Sequence, residues 1–341
     1  NAAGRVTDYS TSGMVETWKL GATSQINDDI RLRSTYSYDI RAPNLGELFS
    51  TVTASGTYLL PNGTTNPNAF IIEGGNPNLK PEAATTWEAG VVLTPHWVEG
   101  LSMSFDWYSI DLKGYISSPP EKLEAQLCSE GNQSFCNDFV VVGGTQHILD
   151  VYQNNGYLTT SGLDFAADYA FPLYAGSMAL HLVGNYNDEE TEEAFDQPAF
   201  DAAGSMGGNS EFGGVPKVHV NLSATYTQGP WMGMVQTRFI GAGTLNAPWN
   251  FGGPCQTVGG VSEGFCVADN NVSPIAYLDL RTSYNWNQNL QFYVSVDNVL
   301  DTPPPLVIST YNLTTTDSLD TNTSQYDTLG RVIHAGIRFN F

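Results

Sequence analysis

Long apolar runs are missing from this chain. No stretch approaches 18 consecutive apolar residues, so no transmembrane helix is encoded. A barrel remains open, because a strand crossing a bilayer needs only about 10 alternating residues. Charge is scarce and one-sided: charged residues are 14% of 341, with 13 Lys and Arg against 35 Asp and Glu, a formal net charge of -22. That shortage of cations argues against nucleic acid and anionic membrane surfaces as partners. The five histidines, His96, His147, His181, His219 and His334, sit in no catalytic or zinc-binding spacing. Gly-x-Ser-x-Gly is absent, and Ser161-Gly162 lies in a strand pattern rather than a nucleophile elbow. No enzyme chemistry, resident metal or cofactor is expected.

Cysteine is sparse but placed in two local pairs, Cys128/Cys136 and Cys255/Cys266, each within a long Gly- and Asn-containing connection. Disulfides across loop tips are the natural reading, and they imply an oxidising compartment. Each would contribute about 2–3 kcal/mol by closing a short loop. The acidic run from Asn187 to Asp196 reads as a solvated loop, with divalent-cation or cationic-ligand binding as the alternative. The chain opens on Asn1 inside a strand pattern, which predicts a cut rather than a natural N-terminus.

What the chain does contain is alternation. From Gly330 to the end, Ile333, Ala335, Ile337, Phe339 and Phe341 share one face, and His334, Gly336, Arg338 and Asn340 the other. Taken alone, this could be a half-buried strand of a soluble sandwich. Ile30, Leu32, Tyr36, Tyr38 and Ile40 oppose Arg31, Arg33, Thr35, Asp39 and Arg41 in the same way. A one-residue slip would carry all the charges into the apolar phase, so register is strongly specified.

About twelve strands read this way, several of roughly 11 residues, above the usual length in globular sheets. Their connections alternate in size. Short turns at Asn27–Asp29, His96–Gly100, Phe171–Gly176, Gln228–Trp231 and Trp286–Asn289 separate long segments at Ala42–Ala84, Ile116–Asp150, Asp188–Pro216, Gly243–Pro274 and Leu300–Gly330. A meander of that kind places all the long loops at one end, as outer-membrane barrels do, whereas Greek-key links need not alternate. Trp87, Trp97, Trp107, Tyr108, Tyr169, Trp231, Tyr284 and Trp286 lie near strand ends and short turns, where interfacial girdles need amphipathic rings.

Three segments carry a family likeness. They are Arg41-Ala-Pro-Asn-Leu-Gly-Glu-Leu-Phe49, then Gly75-Asn-Pro-Asn-Leu-Lys-Pro-Glu82 with Thr86-Trp-Glu-Ala-Gly90, and finally Val296-Asp-Asn-Val-Leu-Asp301 with Tyr326 to Phe341. In that order the chain resembles the TonB-dependent outer-membrane receptors. Locally, Pro43 ends a strand after Arg41, and Pro77 and Pro81 hold the chain extended until Glu82. Lys80 and Glu82 are expected to pair at the rim, and these motif residues are read as architectural.

The resemblance implies an all-β, antiparallel, up-and-down transmembrane β-barrel in the cell outer membrane, with short periplasmic turns and long external loops. The family's barrel has 22 strands filled by an N-terminal plug. Residues 1–341 therefore read as about the last 12 strands, with the plug, the energy-coupling segment and the first strands absent from this chain. Implied partners are the TonB complex through that plug, outer-membrane lipid and lipopolysaccharide, and a small solute ligand. Phe339 and Phe341 would form the signal read by the barrel assembly machinery.

Function on this reading is energy-coupled uptake of a scarce solute, of carbohydrate or siderophore type, captured by external loops. Loop aromatics with polar neighbours are the candidate ligand-binding residues: Tyr58, Phe70, Phe200, Phe212, Trp249 and Phe251. Their alternative role is packing the loops together. The competing functions are a self-contained small barrel acting as a passive pore, and a secreted adhesin sandwich. Pro120 to Leu127 reads as a short loop helix capping the first disulfide, with Leu123 and Leu127 on one side.

Overall fold

The computed structural model describes residues 1–119, 121–195, 199–207, 214–245, 271–305 and 321–339. Twelve strands form one antiparallel meander: Ala2–Tyr9, Gly13–Gln25, Ile30–Arg41, Glu82–Leu93, Leu101–Ser117, Gln153–Leu173, Gly176–Ala194, Val218–Gln228, Trp231–Ile240, Ile275–Asn285, Leu290–Asp297 and Val332–Phe339. Each pairs with the next in order, so the expected strand set and its up-and-down topology are both present.

Local chemistry closes the turns. Asn27 Oδ1 accepts from the backbone N–H groups of Asp29 and Ile30 at 2.9 Å, and Asn287 repeats the device with Asn289 and Leu290 at 2.8 and 2.9 Å. Gly100 has φ +84°, and a Cβ there would run into the carbonyl of Ala170, so only glycine fits this turn. At the opposite end the connections are long, except Ser10–Ser12 between the first two strands.

The long connections are not bare loops. Residues 42–81 fold into a helix at Leu45–Phe49 and a hairpin of Thr51–Leu59 with Thr65–Gly74. Asn44 and Glu47 form a capping box at the start of that helix. Residues 118–152 hold the helices Glu121–Ser129 and Gln133–Cys136, then a second hairpin of Phe139–Val142 with Thr145–Val151. The two hairpins join through a parallel ladder between Thr65–Gly74 and Thr145–Val151, giving a four-stranded sheet above the wall. The expected helix therefore exists, and the Cys128–Cys136 disulfide ties it to the helix Gln133–Cys136, with Cα atoms 4.7 Å apart.

The decisive feature is where apolar side chains go. On the wall, Leu20, Leu32, Tyr36, Leu222, Val235, Leu280, Val294, Ile333 and Ile337 are all exposed on one face, with Ile333 at 66% and Leu222 at 47%. A sandwich would bury that face under a second sheet. Instead, the three apolar clusters among the described residues lie toward the long-loop end. They are Leu48, Leu79 and Ile116; Leu127, Phe135 and Phe195; and a larger group around Met206, Tyr277 and Tyr326. A continuous exposed apolar face on long strands is a lipid-facing surface. Aromatic rings mark its lower edge, where Trp231 packs on Tyr284 at 4.4 Å and Tyr284 on Trp286 at 6.4 Å.

Within the loop layer, half-buried Asp138 has its carboxyl pushed up to about 6 by desolvation. Its folded value lies above the unfolded one, so the folded state holds the proton more tightly. The resulting stabilisation is complete below about pH 4 and is lost as pH rises through about 6. We expect the Leu149 amide, which donates to the Asp138 carbonyl at 2.9 Å, to lose hydrogen-exchange protection over that window. Asp138→Asn should flatten the dependence.

Candidate functional site: the polar face of the wall

The face opposite the lipid-facing one carries the wall's charge, ordered by ion pairs. Arg33 donates Nε to Asp106 at 2.6 Å, reaching across the intervening strand Glu82–Leu93. Gly90 makes this reach possible, because a Cβ there would collide with the Asp106 carboxylate. Arg41 grips Glu82 through Nε and Nη2 at 2.6 and 2.7 Å and Glu47 through Nη1 at 2.8 Å. Glu82 is nearly fully buried and also accepts from the Ile116 N–H at 2.8 Å. The expected Lys80–Glu82 pair is thus replaced by Arg41–Glu82. Lys80 instead offers its backbone N–H to Asn154 at 2.8 Å. Two of the motif segments singled out by resemblance meet in this clamp, which supports their architectural reading.

A second clamp centres on Arg238, which pairs with Asp279 at 2.8 Å and Asp327 at 3.3 Å and lies 5.0 Å over the Tyr277 ring. Asp279 also accepts from the backbone N–H of Asn298, a fully buried residue in the third motif segment that brackets Thr302 with two side-chain hydrogen bonds.

Between the clamps the same face holds a hollow of about 360 Å³. Ser104, Asp164, Asn185, His219 and Asn221 supply its polar lining, with Ala166 and Val183 between them. Strand register aligns four of these groups: Asp164 faces Asn185, Asn185 faces His219, and Asn221 faces Arg238. Asn185 Nδ2 donates to Asp164 at 2.7 Å and lies 3.3 Å from the Tyr108 hydroxyl. The hollow therefore offers a carboxylate, two carboxamides, an imidazole and a hydroxyl within one concavity.

None of the described loop aromatics lines this hollow. Tyr58 and Phe70 lie in the first loop hairpin, where Phe70 stacks on His147 at 5.4 Å between ring centres. Phe200 sits apart, in a two-residue strand whose register partner is Glu192. Phe212, Trp249, Phe251, Cys255, Cys266 and Phe341 lie outside the described residues. Phe339 ends the last described strand, paired with Leu290 and exposed on the lipid side.

The family profile described as TonB dependent receptor-like, beta-barrel, matches residues 1–299. The chain belongs to that family. Its members reside in the outer membrane, so the exposed apolar face of this receptor barrel meets outer-membrane lipid. Solved receptors share the fold. The siderophore receptor PirA from Acinetobacter baumannii matches 99% of this chain at 14% identity with a TM-score of 0.63. The ferric enterobactin receptor mutant (Q482A) from Pseudomonas aeruginosa (PfeA), in complex with enterobactin, matches 100% at 15% identity and 0.64. The copper transporter OprC matches 96% at 15% identity and 0.56. Identities this low carry the fold alone. The chain spans 43%, 43% and 40% of the lengths of those three chains, respectively.

Proposed function

We propose that this chain is the C-terminal part of the barrel of a TonB-dependent transporter that takes up a scarce small solute. The observation that carries the reading is the pairing of a lipid-facing apolar wall with a polar inner face containing a hollow built from four strands. The family match over residues 1–299 supports the transport class, and coverage of only 40–43% of three solved relatives supports further barrel strands and a plug preceding this segment. In that arrangement the plug engages TonB, the external loops capture the solute, and the terminal strand with Phe339 and Phe341 is read by the barrel assembly machinery. Tyr58, Phe70, Phe200, Phe212, Trp249 and Phe251 remain the proposed loop contacts for solute, with catalysis playing no part.

The test is the source protein itself, recovered from outer membranes. An intact mass more than twice that of this chain, together with solute uptake that stops when TonB is deleted, is the expected result. A TonB-independent open conductance in planar bilayers, from a chain of this length, would replace the reading with a passive pore.

A further inference from the structure

Two of the long connections meet at one aromatic ring. Phe195, directly after the strand Gly176–Ala194, is 5% exposed and clusters with Leu127 and Phe135, while Leu123 and Cys128 pack against the group. Its ring meets that of Phe135 edge-on, with centroids 6.4 Å apart. Leu127 and Phe135 belong to the helices Glu121–Ser129 and Gln133–Cys136, which the Cys128–Cys136 disulfide ties together. All of these residues are in this chain, so the burial of Phe195 does not depend on strands or a plug supplied from elsewhere.

Phe195 is also held in an unfavourable backbone conformation. Its φ is +54°, in the left-handed region that a bulky side chain enters only where its surroundings fix it. The N–H donates to the Asn155 carbonyl at 3.3 Å, a long bond that alone would not hold the turn. What holds it is the socket between the helices. Those helices have 9 and 4 residues, too short to persist in water unsupported, and the disulfide is the covalent tie between them.

Beyond the ring the chain forms a strap. Phe200–Asp201 turns back onto Thr191–Glu192, and the Ala202 N–H donates to the Glu190 carbonyl at 2.7 Å. Asp201 Oδ1 accepts from the Glu190 and Ala203 N–H groups at 3.0 and 2.9 Å. Met206 then enters the neighbouring group of connections. Its N–H donates to the Thr244 carbonyl at 2.7 Å, and its carbonyl accepts from Asn322 Nδ2 at 2.9 Å.

We infer that Phe195 and the disulfide-tied helix pair form a redox-sensitive latch between the helix-bearing connection and the one that follows Ala194. With the bond intact, the ring stays in its socket and the strap is fastened. A small dithiol outside the cell opens the latch by reducing the bond. The S–S bond breaks, each sulfur takes a proton from the dithiol, and the dithiol closes to its own disulfide. The helices part, Phe195 leaves the left-handed region, and the strap is released while the wall below stays paired. The latch needs the fold alone, so its fate is separate from that of the uptake reading.

The experiment is hydrogen exchange on the full-length receptor in detergent, with thiol alkylation reporting the state of the bond. Dithiothreitol should raise exchange at the Phe195 and Ala202 amides at least about tenfold, and leave Leu180 and Leu182 in the wall unchanged. Phe195→Ala should give the same rise with the bond intact, and dithiothreitol should then add less than about twofold. Cys128→Ser with Cys136→Ser should be loosened from the start and indifferent to dithiothreitol, which isolates this bond from any other in the receptor. Phe195→Leu, which keeps an apolar side chain, should retain the response. Removing dithiothreitol and reoxidising in air should restore protection in the unsubstituted protein. Three results would overturn the latch. They are a reduced bond with unchanged exchange at Phe195 and Ala202, loosening that spreads equally to the wall, and a dithiothreitol effect in Phe195→Ala as large as in the unsubstituted protein.

Discussion

Leu222→Lys will destabilise the folded barrel by about 2–4 kcal/mol, whereas Ser223→Lys, one residue along, will cost little. The difference follows from the pleat. Leu222 projects from the lipid-facing side, near the middle of Val218–Gln228, with Leu182 and Thr237 as its register partners. An ammonium there must leave water for hydrocarbon or drag water with it. Ser223 faces the interior beside His181 and Gln236, where water already wets the wall. Depth should grade the effect: Ile337→Lys, two residues from the short-turn end of Val332–Phe339, should cost less, because the same lysine stem there lets the charge reach the nearby interface. Urea midpoints of the full receptor folded into phospholipid vesicles provide the measurement. Equal costs at positions 222 and 223 would contradict the assigned register, and reversed costs would mean that the two faces are exchanged.

The second large effect belongs to Arg41→Ala, expected to cost about 2–3 kcal/mol and to loosen the loop layer before the wall. Removing one member of a buried ion pair is worth about 3–5 kcal/mol, because the other charge is stranded. Here the stranded group is Glu82, whose side chain is 4% exposed and would keep only the Ile116 N–H. The lower figure reflects Arg41 itself, which is 45% exposed and therefore partly screened. Glu47 also loses its partner, so the helix Leu45–Phe49 is released from the strand end. Limited proteolysis within residues 42–81 should accelerate, while the wall keeps its resistance to denaturant. Pairing Arg41→Ala with Glu82→Gln should recover much of the loss, and a double-mutant cycle measures the coupling.

The wall was readable from sequence because lipid on one side and water on the other impose a strict period of two, and because short turns carry local signals such as Asn27 and Asn287. The loop layer was less readable. Thr51–Leu59 and Thr65–Gly74 look like Thr-, Asn- and Gly-rich loop sequence, and their pairing with Thr145–Val151 joins segments far apart in the chain with no local trace. The Glu82 partner was misread for a related reason: Lys80 is close in sequence, but Arg41 is its direct register neighbour across two strands. The hollow posed a harder problem still. Asp164, Asn185, His219 and Asn221 are each recognisable as polar positions in alternating strands. Only the register of three consecutive strands, with a fourth supplying Ser104, shows that they converge.

The parallel ladder between Thr65–Gly74 and Thr145–Val151 has a consequence for anyone who would transplant specificity between receptors of this kind. Exchanging residues 42–81 alone would leave Thr145–Val151 with a row of unmatched backbone donors and acceptors, an open edge inviting misassembly. The smallest interchangeable cassette is the pair of connections taken together, with the Cys128–Cys136 bond travelling inside it.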